Sequence, residues 1–163
     1  LRPDLGLNVR AIGVSGLTRI GRPGAAHFLA AVRGPKMTQY PGHLEFVPSG
    51  TIDRGCAEEN GVVRYEAKIL EELREETALP FRAIANVQGF AFTYDRADDT
   101  YDVCCLIDVD GDPEAIRAAL VHTDEYTDPV LVAESDLAAW TAAQGDRLMP
   151  VSQGIAAAYG AWR

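Results

Sequence analysis

The segment at 70–79, LEELREETAL, carries Glu71, Glu72, Glu75 and Glu76 on one predicted helix. At ~100° per residue, Ile69, Leu70, Leu73, Thr77 and the stem of Glu66 share one side and form the predicted buried stripe. Glu71 and Arg74 point away from it. Glu72, Glu75 and Glu76 stand at i, i+3 and i+4, so their carboxylates form a patch about 100° round from the stripe, at its border. Like charges at i, i+4 cost about 0.2–0.5 kcal/mol per pair in an isolated helix, and a core wall nearby strengthens the repulsion by lowering the dielectric. Something should neutralise them. Lys68, four residues before Glu72, offsets part of the charge, but one lysine does not balance three carboxylates. A hard divalent cation suits the remainder, since Mg²⁺ takes one or two carboxylates together with waters and phosphate oxygens. A plain solvated acidic face is the competing reading.

The rest of the chain bounds what such a site could serve. With 163 residues, 47% hydrophobic and 24% charged, it is expected to form one domain over 1–163 with a sizeable core. A formal net charge of −9 argues against nucleic acid or an anionic membrane as partner, because both require a basic surface. An anionic substrate would need a cation as intermediary. No apolar run approaches the ~20 residues of a membrane span. Cys56, Cys104 and Cys105 have neither an even count nor C-x-x-C spacing, which fits a reducing, cytoplasmic setting. The chain begins at Leu1, which leaves open what precedes it, and homodimer formation is left open too.

Positioning falls to the following elements. Residues 9–17 and 27–32 read as strands around the turn-rich RIGRPG, and 43–47 as a short strand before the loop PSGTIDRGCAEENG. The acidic helix is predicted over about 63–78, ending before Pro80. Residues 84–93 and 100–109 form a hairpin with an acidic tip (Asp95, Asp98, Asp99, Asp102), expected to be solvated. Phe90 and Phe92 are expected to face the core. Asp112 caps a helix to about 120 with Pro113 at its first position. VHTDEYTD is expected to be a loop, PVLVA a strand, Ser135 the cap of a helix to about 143, and 152–159 a final helix. The irregular alternation predicts an α/β (α+β) fold, a mixed sheet with helices on both faces.

The run PSGTIDRGC followed by EELREETAL resembles the Nudix box, G-x5-E-x7-R-E-U-x-E-E-x-G-U with U a large aliphatic. Glu72, Leu73, Glu75, Glu76 and Leu79 fall on its E, U, E, E and U, and Gly50 on its first glycine. YPGHLEFVPSG resembles the family's yPGxWeFPGG lead-in, and DPVLVAESDL its late strand and helix start. The departures are Glu71 for the arginine, Ala78 for the last glycine, Cys56 for the first glutamate, and roughly seven extra residues before the helix. The glutamate and arginine of the family are understood to hold loop against helix. An alternative brace is expected here, for which Glu58 or Glu59 with Arg64 or Arg74 are candidates.

The resemblance implies a Nudix-like sheet sandwiched between helices and hydrolysis of a diphosphate linkage in a nucleoside diphosphate joined to another group. By carry-over, Glu72 and Glu76 would bind Mg²⁺ or Mn²⁺. Glu75 would be a third ligand or hold a bound water, and the Ser49 carbonyl would add a backbone ligand. The general base would be Glu75 or Glu76, or a loop acid, Asp124 or Glu125, with His122 nearby. Tyr40, Tyr94 and Tyr101 are candidates to stack on a nucleobase, while His27 and His43 read as structural. The alternative function is a Nudix-like domain that binds a nucleotide or partner with little or no turnover. Isoprenoid diphosphate isomerisation on a related scaffold is a remote third.

Overall fold

The computed structural model describes residues 10–56, 60–77, 79–119 and 125–162. Among the described residues there are seven strands, β1 (Ile12–Ile20), β2 (His27–Arg33), β3 (Leu44–Phe46), β4 (Ser49–Thr51), β5 (Ile84–Asp95), β6 (Thr100–Val109) and β7 (Tyr126–Ala133), and four α-helices, α1 (Tyr65–Thr77), α2 (Pro113–Ala119), α3 (Leu137–Gln144) and α4 (Pro150–Trp162). The strands form one mixed sheet with the path β3-β2-β1-β6-β5, β4 pairing with β1 and β7 with β2. β1 and β6 run parallel from Ile12↔Tyr101 to Ile20↔Val109, and the other pairings are antiparallel.

Period-two alternation in the central strands gives the sheet two apolar faces. Val14, Cys105, Ile107 and Val109 pack with Ile69 and Leu73 of α1 and Ile116 of α2. Leu17, Cys104 and Leu106 pack on the other face with Leu137 of α3 and Ile155 and Tyr159 of α4. The expected mixed sheet between helices is therefore present. No helix among the described residues is long and apolar enough to cross a membrane.

Several boundaries differ from the sequence expectation, and long-range pairing explains them. β1 runs on to Ile20 because β6 continues alongside it. Tyr126 and Thr127, expected in a loop, belong to β7 because they pair with Arg33 and Val32. Asp112 caps α2 as expected, its Oδ2 accepting from the Ala115 N–H at 3.0 Å. Ser135 does not cap α3: it lies in a 3-10 turn and its hydroxyl donates to Asp136 at 3.0 Å. Phe92 is 59% exposed, while Phe90 packs against Tyr159 and Trp162. The bulge between Gly89 and Ala91 puts the two rings on opposite faces, which a strict alternation cannot foresee.

Candidate active site

α1 buries Ile69, Leu73, Glu76 and Thr77. Leu70 is half-buried and Glu66 exposed, so the stripe is turned toward Glu76 relative to the expected one. Thr77 closes the helix, its hydroxyl bonding to the Leu73 carbonyl and accepting from the Leu79 N–H at 3.3 Å. Of the three candidate carboxylates, Glu76 is only 2% exposed, Glu72 half-buried and Glu75 exposed. Glu75 is thereby set apart from the other two.

β4 brings the backbone to these carboxylates. A Cβ at Gly50 would lie 2.6 Å from Cδ of Glu72, closer than real contacts allow. The missing side chain is what admits the carboxylate. Gly50→Ala is expected to cost about 1–3 kcal/mol, as overpacking does, by displacing Glu72. Thermal unfolding checks this.

A third acid meets them from β3. Glu45 is 2% exposed and bonds to the guanidinium of Arg33, itself 6% exposed. The Tyr126 hydroxyl donates to Glu45 Oε2 at 2.7 Å and lies 3.1 Å from Ser49 Oγ. Burial raises the Glu76 carboxyl well above the usual carboxylate range, and the charges of Glu45 and Glu72 push the same way. The Ser49 backbone N–H opposes them, and the charge of Glu125 adds to the rise. Burial likewise raises the Tyr126 phenol, followed by the charges of Glu45 and Glu76. Arg33 and Glu45 were not singled out from sequence, yet each is a charged residue in a mainly apolar strand, a pattern that demands a buried partner.

The cations are unequally shared. Arg33 serves Glu45, and Lys68 bonds to Glu72 Oε1 at 2.8 Å and to Glu71 Oε2 at 3.1 Å. These bonds, that to Glu72 foremost, raise the Lys68 pKa against its partial desolvation. Glu76 Oε2 is buried without a hydrogen-bond partner among the described residues.

A cavity of about 310 Å³ opens beside β4, with Tyr40, Glu45, Ser49, Gly50, Asp95 and Asp102 in its wall. The Tyr40 hydroxyl donates to Asp95 Oδ2 at 3.1 Å, and burial together with that carboxylate raises its pKa to about 12. Asp102 accepts from Ser15 Oγ at 3.0 Å, and burial raises its pKa. The expected solvated tip is thus partly a cavity wall. Tyr94 and Tyr101 do not line this cavity. They stack at 4.7 Å in an outward-facing group with Phe92, under the Arg10 guanidinium at 5.6 and 5.7 Å. Alternation along β6 accounts for this, since Thr100 and Asp102 face the cavity and Tyr101 the opposite side.

The remaining candidates are scattered. Glu125 is exposed, and its carbonyl accepts from the Gly34 N–H at 2.7 Å. His43 meets Tyr40 edge-on at 5.4 Å, and His27 has a buried, unbonded Nδ1. Asp124, His122, Glu58, Glu59 and Ala78 lie outside the described residues. Cys56 is buried with its thiol 3.7 Å from Asp53 Oδ1.

No three His, Cys, Asp or Glu side chains among the described residues form a ready-made ligand set. The donors present nevertheless suit a hard divalent cation. Glu72 lies against the bare Gly50 backbone, the Ser49 N–H bonds to Glu76, and Glu76 Oε2 is buried with no hydrogen-bond partner among the described residues. Such a cation needs only one or two protein carboxylates, the rest of its shell being water and phosphate.

Solved structures place this architecture. A mutT/nudix family protein from Listeria innocua is 18% identical, with a TM-score of 0.61 over 93% of this chain and 92% of its own. The NUDIX domain of Shewanella oneidensis NrtR, complexed with ADP ribose, is 16% identical, with a TM-score of 0.58 over 82% of this chain and 79% of its own. An Ap4A hydrolase of C. elegans, in a binary complex, is 12% identical, with a TM-score of 0.57 over 93% and 96%. The chain has the Nudix fold. No protein-family model and no curated protein matches it.

Proposed function

We propose that the protein is a metal-dependent hydrolase that cleaves a diphosphate linkage in a nucleoside diphosphate joined to another group. The observation that carries this reading is Glu76, whose buried, unbonded Oε2 lies among the negative charges of Glu45 and Glu72. A bound Mg²⁺ or Mn²⁺ would offset the charge of the phosphates and supply an activated water. Glu72 and Glu76 would hold it, with the Ser49 carbonyl as a backbone donor, and Lys68 would give up Glu72 in exchange. Glu75 and Glu125, both exposed, are the candidates to take a proton from the attacking water. The cavity wall carries Asp95, Asp98 and Asp102, which disfavour phosphate there. The diphosphate therefore belongs at the α1 end, and Tyr40 borders the space for the attached group.

The test is product release from nucleoside triphosphates, ADP-ribose, nucleotide sugars and dinucleoside polyphosphates, each with Mg²⁺, Mn²⁺ or chelator. Turnover of one class that chelator stops supports the reading, and no turnover of any class counts against it. The second reading, a nucleotide-binding domain without turnover, is favoured by Lys68, which already occupies Glu72. Tight nucleotide binding without product would support it.

A further inference from the structure

We infer that Tyr126 is a positioning residue that locks the Ser49–Gly50 backbone against the carboxylates of α1. The inference rests on the reading of Glu72 and Glu76 as metal-holding residues. Tyr126 is 1% exposed, so its hydroxyl must find partners inside the protein. It donates its single proton to Glu45 Oε2 at 2.7 Å. The 3.1 Å contact with Ser49 Oγ is then one in which the serine hydroxyl donates and the phenol oxygen accepts. Glu45 cannot turn to release this arrangement, because the Arg33 guanidinium bonds to the same Oε2.

The far end of this chain of bonds is the metal-facing backbone. β4 is three residues long and, among the described residues, pairs only with β1, through Ser49↔Ser15, Gly50↔Val14 and Thr51↔Gly13. Gly50 has no side chain and Thr51 is exposed, so Ser49 supplies the side-chain anchor of this strand. The Ser49 N–H bonds to Glu76, and Gly50 is the position against which Glu72 lies. A shift of this strand would move both contacts at once. Tyr126 thus acts on the carboxylates through Ser49. Cys56 and Glu71 turn to Asp53 and Lys68, so the β7–β3–β4 chain is a separate means of holding loop and helix in register.

Tyr126→Phe keeps the buried ring and removes only the hydroxyl. We would measure Mn²⁺ binding to Tyr126→Phe, Ser49→Ala and the double variant, and amide hydrogen exchange at Ser49 and Gly50 without metal. The expected result is a 10–100-fold loss of Mn²⁺ affinity in each single variant, the size of effect that partners just outside a metal's ligands have. The double variant should lose no more than the worse single, since residues acting as one unit are not additive. Exchange at Ser49 and Gly50 should quicken at least about tenfold, while β6 amides stay unchanged. Unchanged exchange, or losses of affinity that simply multiply, would overturn the inference. If the unaltered protein binds no Mn²⁺, the proposed function fails, and the exchange measurement still decides the role of Tyr126.

Discussion

Glu76→Gln is expected to abolish metal-dependent hydrolysis while making the metal-free protein more stable. Partners just outside a metal's ligands already cost about 10–100-fold, so loss of a ligand should cost at least about a hundredfold in turnover. The stability change follows from the raised carboxyl. Below the ordinary value of 4.5, folded and unfolded chains both carry the proton, and wild type and variant should unfold alike. As pH rises from there toward the higher folded value, the unfolded chain releases the proton and the folded chain keeps it, so wild-type stability declines. Glutamine has no proton to lose. Each tenfold difference in proton affinity between folded and unfolded chains corresponds to about 1.4 kcal/mol, and about 1 kcal/mol moves the melting temperature by roughly 2–4 °C in a chain of this size. Thermal unfolding from pH 4 to 8 should therefore show the two curves separating as pH rises. Added Mn²⁺ should raise the melting temperature of the wild type alone. A variant that is less stable than wild type at pH 8 would refute the account of Glu76 as a carboxyl raised by burial and by its acidic neighbours.

Arg33→Leu should be the most destabilising single change in the site. Removing one member of a buried ion pair typically costs about 3–5 kcal/mol, because the other charge is left without compensation. Glu45 would then face Glu76 with the Tyr126 hydroxyl still donating to it but no cation. The loss corresponds to a fall in melting temperature of roughly 6–20 °C. The double change Arg33→Leu with Glu45→Gln should recover most of it, since a neutral amide needs no cation. Equal destabilisation in the single and double variants would show that packing of the arginine stem, not charge, dominates. In either case the measurement is thermal unfolding in chelator, which keeps metal binding out of the comparison.

Much of the scaffold was legible from pattern alone. Alternating strands and an amphipathic acidic helix predict a mixed sheet between helices, and Asp112-Pro113 predicts the start of α2. The boundaries that moved are those set by a distant neighbour: the end of β1 by β6, the start of β7 by β2, and the faces of Phe90 and Phe92 by a bulge.

The candidate site divides along the same line. Helical spacing by itself determined that Glu72, Glu75 and Glu76 lie near one another, because positions three and four apart share a helix face whatever surrounds them. Which of them is buried depends on the wall the helix meets, and the tertiary structure decided that: β4 receives Glu72 at the bare Gly50 and Glu76 at the Ser49 N–H, and leaves Glu75 outside. Glu45, Arg33 and Tyr126 entered the site only through strand pairing, across separations over which no local period carries information. The tyrosines were sorted in the same way, Tyr40 to the cavity and Tyr94 and Tyr101 to the outer surface. Local spacing determines which residues travel together along one element; burial, charge balance and the reach of a hydroxyl are set where elements meet.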